Sequence, residues 1–154
     1  MSIAFTFPGQ GSQAVGMGKE LADAFPEAKA VFDEVDDALD QKLSAVMWSG
    51  PDDELTRTAN AQPALMAVSL ATMRVLEAKG LELKSSASFV AGHSLGEYSA
   101  LAAAGSLDVA TTARLLRVRG DAMQNAVPVG QGAMAALLGL DFEAADEIAK
   151  EAAQ

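Results

Sequence analysis

The chain has 154 residues, half of them apolar, with 21 acidic against 11 basic side chains, one histidine and no cysteine. That apolar content excludes a disordered chain, and the missing cysteines exclude a disulfide framework or a thiolate metal site. A net charge of −10 argues against nucleic acid or an anionic membrane surface as the main partner.

Ile3–Phe7 reads as a short strand, broken by the glycine-rich turn Pro8-Gly9-Gln10-Gly11-Ser12-Gln13. A helical pattern runs from Met17 to Leu39 and restarts at Pro26, with Ala28, Val31, Phe32, Val35 and Leu39 forming one buried stripe. Ser49-Gly50-Pro51 is a turn. A long helix is expected from Pro63 to Lys79, burying Leu65, Val68, Met73 and Leu76 and stopping at Gly80. Phe89-Val90-Ala91 reads as a short buried strand and Leu95–Ala104 as a small-residue helix. The next helix is capped by Ser106 or Asp108 and runs to Ala126. Past Pro128, a strand is expected over residues 133–140, which is also the longest apolar run and far short of the ~20 residues of a membrane span. Asp141 then caps a helix over Phe142–Ala153. No Lys or Arg precedes Lys19, as a signal peptide would require, so a cytoplasmic protein is expected. Strands alternating with helices predict an α/β fold with a largely parallel sheet. A lone strand–helix pair after Pro128 cannot bury both faces of its strand, so the chain is expected to stop inside a domain.

Gly92-His93-Ser94-Leu95-Gly96 fits the G-x-S-x-G elbow in its required strand-to-helix setting. Glycines flank the serine because the tight turn brings backbone too close for side chains. The helix start aims the Leu95 amide at an oxyanion formed by attack of Ser94. His93 adjoins Ser94 on the same turn, so the two side chains should diverge, and His93 is expected to line the pocket rather than act as base. No histidine follows Ser94, leaving a nucleophile without a distal base.

At 100° per residue, Arg119 lies within about 60° of Leu116 and Met123, while Arg114 and Arg117 fall on the far side as solvated arginines. An arginine bordering a buried stripe needs an anion, either a carboxylate ligand or one of the chain's own acids. The loop around Gln10 could supply a second oxyanion amide or be a plain surface turn, and Gln62 reads as structural at a helix start. The methionines are expected in the core.

FPGQGSQ at 7–13, AQPAL at 61–65, GHSLGEYSA at 92–100 and the pair Arg119-Gly120, in this order, closely resemble the malonyl-CoA:acyl-carrier-protein transacylase family, collinear through residues 132–134. The resemblance implies a hydrolase-like parallel sheet core flanked by helices, with a ferredoxin-like small subdomain. Residues 1–127 would be the N-terminal part of the large subdomain, and 128–154 the first strand–helix unit of the small one.

It further implies Ser94 as nucleophile, Leu95 and Gln10 as oxyanion amides, Arg119 as the malonyl carboxylate anchor, Gln62 beside it, and His93 lining the pocket. The base histidine would lie outside this chain, in the remaining C-terminal part of the same protein. Malonyl-CoA and acyl carrier protein are the implied partners, with no cofactor and no metal. Acidic carrier proteins would need a local basic patch, for which Arg114 and Arg117 are candidates. A serine esterase or thioesterase on the same core, a polyketide synthase acyltransferase domain, and a catalytically incomplete piece are the competing expectations.

Overall fold

Two strands, β1 (Ala4–Phe7) and β2 (Phe89–Gly92), pair in parallel in the computed structural model, which describes residues 3–127 and 137–153. The register sets Ala4 beside Phe89 and Phe7 beside Gly92, so the glycine-rich turn and the serine elbow leave the same end of the sheet. That juxtaposition, rather than sequence proximity, builds the site. The described residues form an α/β fold in which helices dominate.

Helices α1 (Lys19–Ala24) and α2 (Pro26–Leu39) meet at Pro26, which takes the first helical position as expected. Ala28, Val31, Phe32 and Val35 are buried along one stripe of α2, and Leu39 half-buried. Two short helices, α3 (Leu43–Ser49) and α4 (Asp52–Thr56), follow in a stretch where sequence periodicity indicated only a turn. Both are too short to show a period, yet they bury Leu43, Met47 and Leu55.

Helix α5 (Thr58–Ala78) begins five residues before the position expected from Pro63 and carries that proline in its interior. The extra turn is held by tertiary contacts: buried Asn60 donates through Nδ2 to the Glu54 carbonyl at 2.8 Å, and the amides of Asn60 and Ala61 bond to the Arg57 carbonyl. Pro63 is the sixth residue of α5, past the amides that lack a helical partner, so it removes one ladder bond, the one to the Ala59 carbonyl. Leu65 and Met73 are buried and Val68 half-buried, but Leu76 is exposed. One further short helix, α6 (Leu83–Ser86), precedes β2.

Helices α7 (Leu95–Ala103) and α8 (Val109–Asn125) complete the core, with α5 packed against α2, α7 and α8. Phe32, Met66, Leu95 and Leu116 from these four helices are fully buried together, each contributing on the order of 2 kcal/mol by leaving water. Asp108, not Ser106, caps α8. The Thr111 amide donates to its Oδ1 at 2.6 Å and the Thr111 hydroxyl to its Oδ2 at 2.9 Å. The Thr111 amide and then its hydroxyl hold the Asp108 carboxyl below its usual value of 3.8, with Arg114 adding to the effect. A depressed folded value means the cap stabilises the fold above the ordinary carboxylate range and ceases to as pH falls through the lowered value. Melting curves of the parent and Asp108→Ala proteins should therefore differ at neutral pH and converge in strong acid.

Gly120 lets α8 approach α5 closely. A methyl there would sit 2.6 Å from Ala59 Cα and 2.8 Å from the Thr58 carbonyl oxygen. Gly120→Ala should cost about 1–3 kcal/mol through overpacking, read as a melting temperature lower by roughly 2–10 °C.

β2 is not the buried strand expected from its sequence. Phe89 is 72% exposed and Ala91 is exposed, because helices cover only the face carrying Phe5, Phe7 and Val90. Helix α9 (Phe142–Ala152) begins at Asp141, whose side chain accepts from the Ala144 amide at 2.9 Å. None of its residues is buried, and Phe142 is 86% exposed. Half of the strand expected over 133–140 lies outside the described residues, and its described half, Leu137–Leu140, is not in a strand. No helix among the described residues is long and apolar enough to cross a membrane.

Candidate active site

Ser94 occupies the turn between β2 and α7 with φ 56° and ψ −114°, a left-handed conformation that a serine holds only under constraint from its surroundings. The constraint is visible on both sides. A methyl on Gly92 would lie 2.0 Å from the Gly96 carbonyl, and one on Gly96 would lie 2.4 Å from the Phe7 carbonyl oxygen of β1. Both glycines of the motif are therefore required sterically, and β1 itself supports the elbow from below. The His93 amide extends the sheet by donating to Phe7 O at 3.2 Å.

At the start of α7, the amides of Gly96 and Glu97 bond back to the carbonyls of His93 and Ser94. Leu95 supplies the first amide of the helix, which has no partner in the helical ladder and lies next to Ser94 in sequence. The Leu95 side chain is fully buried and anchors that turn. Ser94 itself is exposed.

His93 is exposed and lies against the glycine-rich turn, where a methyl on Gly9 would come 2.4 Å from its Nδ1. Among the described residues no hydrogen bond joins His93 to Ser94. Gln10, in the same turn, donates through Nε2 to the Thr58 hydroxyl at 3.2 Å, tying the turn to the first residue of α5. The Ser12 hydroxyl donates to the Gly9 carbonyl at 3.2 Å and the Gly11 amide to the Gln13 side chain at 2.8 Å, closing the turn on itself.

Arg119 reaches this place from α8. Its Nη1 donates to Gln62 Oε1 at 2.5 Å and its Nη2 to Ser94 Oγ at 3.0 Å. Among the described residues no carboxylate lies within ion-pair distance of it. Of the two expectations for Arg119, an internal salt bridge is thus not what the structure shows. Gln62 is completely buried in α5, and its Nε2 faces Met123 Sδ at 3.4 Å. A thioether accepts and a guanidinium only donates, so the amide has one orientation that satisfies both neighbours. Gln62 does not stand at a helix start as expected from Pro63. It stands in the second turn of α5, which is why it can reach α8.

Two contributors escaped the sequence analysis, Thr58 and Tyr98, while Met123, expected on the stripe beside Arg119, meets Gln62. Tyr98 presents its ring 5.9 Å from the Arg119 guanidinium carbon. Tyr98 follows Ser94 by four residues, so the same i, i+4 relation that sets Met123 beside Arg119 could have found it. Arg117 departs from expectation in another way. It is half-buried, not solvated, and its Nη2 donates to Gln41 Oε1 at 2.5 Å. Helix α8 packs against α2 as well as α5, so the side opposite Arg119 faces protein rather than water. Arg114 is exposed, but its groove is shared with Asp33, Glu34 and Asp37, an acidic setting rather than a basic patch.

A serine on a strained strand-to-helix turn, with a carboxylate-free arginine on its hydroxyl, defines an α/β protein of the serine-elbow class. Comparison with known proteins gives the family: the chain belongs to the acyl transferase domain family, matched over residues 4–151. It is 51% identical over 146 residues to the malonyl CoA-acyl carrier protein transacylase of Bacillus subtilis strain 168, covering 95% of this chain and 45% of that protein. The crystal structure of acyl-carrier-protein-S-malonyltransferase from Bartonella henselae superposes with a TM-score of 0.94 at 61% identity, over 99% of this chain and 49% of that one. A malonyl-transacylase solved in complex with a type II polyketide synthase acyl carrier protein matches with a TM-score of 0.89 at 48% identity, over 100% of this chain and 49% of that one. The chain spans about half the length of the relatives it matches.

Proposed function

We propose that this chain carries the nucleophile and the acyl-carboxylate anchor of a malonyl-CoA:acyl-carrier-protein transacylase, supplying malonyl groups for fatty acid synthesis. The observation that carries the reading is Arg119, bonded to both Gln62 and the Ser94 hydroxyl with no acid beside it among the described residues. A guanidinium held by neutral partners next to a nucleophile suits an acyl group that ends in a carboxylate.

In the first half-reaction Ser94 Oγ attacks the thioester carbonyl of malonyl-CoA while a base takes its proton. The tetrahedral oxyanion is held by the amides of Leu95 and Gln10, then the C–S bond breaks and the coenzyme A thiol leaves with a proton. The malonyl ester keeps its free carboxylate on Arg119. In the second half-reaction the phosphopantetheine thiol of the carrier protein attacks the ester, and Ser94 regains its proton. No cofactor enters either step.

The base is a histidine outside these 154 residues. The sequence holds one histidine, and His93 lies against Gly9 rather than on Ser94. We read the open face of β1 and β2, with Phe89 exposed, as the seat of the C-terminal part of the same protein that brings this base. Residues 1–127 then belong to a hydrolase-like large subdomain and 128–154 open a ferredoxin-like small one, which accords with an α9 that buries nothing against the rest. The setting is cytoplasmic.

The acceptor tests this reading against a serine esterase on the same core. Protein supplied with malonyl-CoA and phosphopantetheinylated carrier protein should yield malonyl-carrier protein in proportion to free coenzyme A. Release of free malonate with no acylated carrier would assign the esterase instead.

A further inference from the structure

We propose that Tyr98 is a positioning residue that holds the Arg119 guanidinium ready for a carboxylate without competing with it; this rests on the carboxylate-anchor reading above. A half-buried cation has lost part of its hydration and needs a counter-interaction. The usual partner, an Asp or Glu, would neutralise Arg119 and occupy the donors that an incoming carboxylate requires. The face of Tyr98, 5.9 Å from the guanidinium carbon, offers the alternative: its quadrupole attracts the positive charge while consuming no N–H and adding no negative charge.

Guanidinium donors make the point concrete. Arg119 has five N–H groups, of which Gln62 takes one on Nη1 and Ser94 one on Nη2. Among the described residues no further acceptor takes its other N–H groups, because the third support is an aromatic face. The arrangement is fixed by α7 itself: Tyr98 is one turn beyond Ser94, half-buried, and packed against the main core cluster, so its ring cannot follow a drifting arginine. Ser94 at the N-cap of α7 and the platform in its first turn are therefore held by one rigid helix, and Arg119 from α8 is located against both.

The test is transfer kinetics with malonyl-CoA and acetyl-CoA on the full-length protein, comparing Tyr98→Phe, Tyr98→Leu and a series of increasingly fluorinated phenylalanines at position 98. Phenylalanine keeps the face and should stay within about twofold of the parent, whereas leucine should raise the malonyl KM about tenfold and leave kcat and the acetyl reaction nearly unchanged. Fluorination preserves shape while draining the ring face, so it needs no assumption about how leucine packs; the malonyl KM should climb with each step. A flat series, equal effects on both donors, or failure of phenylalanine to match the parent would overturn the role of Tyr98. Arg119→Ala serves as the reference. If it too fails to separate malonyl from acetyl, the carboxylate reading falls; if it separates them while the Tyr98 series is flat, only the platform falls.

Discussion

Ser94→Ala should abolish covalent capture of malonyl groups and lower transfer by ~10³-fold or more, with little change in melting temperature. The size follows from what is removed. Without Oγ there is no atom to form the ester, and the amides of Leu95 and Gln10 proposed to hold the oxyanion can only bind the thioester, not open it. The fold should persist because alanine tolerates the turn no worse than serine does: the positive φ is imposed by Gly92, Gly96 and the β1 carbonyls, not by the hydroxyl. Arg119 loses one acceptor and keeps Gln62. Intact-mass analysis after exposure to malonyl-CoA, paired with a thermal melt, checks both halves. A Ser94→Ala protein that still takes up malonyl at the elbow would remove Ser94 from the mechanism.

The second large effect is expected at Arg119. Arg119→Ala should reduce malonyl transfer ~100- to 1000-fold and change acetyl transfer by no more than a few-fold. Losing one partner of a poorly solvated charge pair costs about 3–5 kcal/mol when fully buried, and the half exposure of Arg119 reduces that toward the lower part of the range. Acetyl has no carboxylate, so it loses nothing when the arginine goes. Arg119→Lys should fall between, because an ammonium keeps the charge but not the planar fork that bridges Gln62 and a carboxylate. Stability gives an independent check. Arg119 has no acidic partner among the described residues, so its removal breaks no ion pair there, but it leaves Oε1 of the fully buried Gln62 without its donor, and the melting temperature should fall by the few degrees that about 1–3 kcal/mol implies. Equal losses on both acyl donors would point to a structural role instead.

The elbow was legible because its requirements are local: two glycines, one serine, a strand before and a helix after. Arg119 was legible only to the point of needing an anion, since helical angles place a side chain on a face but cannot say what lies opposite. Arg117 shows the limit of that arithmetic. Its face is opposite Arg119 and would be solvated if α8 had one packed side, but α2 covers it. Gln62 shows another. Proline marked the helix start too late, since Asn60 and Arg57 hold a turn ahead of it through contacts with α4 that no periodicity encodes. β2 looked buried because its residues are apolar, which records what the strand is suited to contact rather than what covers it. Thr58 and Gly120 became meaningful only once α5 and α8 were seen to touch there, a methyl's width apart.

The most direct test of the central claim is peptide mapping after brief incubation of the full-length protein with malonyl-CoA. A malonyl ester is expected on Ser94, discharged when phosphopantetheinylated carrier protein is added and absent in Arg119→Ala under the same conditions. A malonyl group on any other residue, or an ester on Ser94 that carrier protein does not remove, would contradict it.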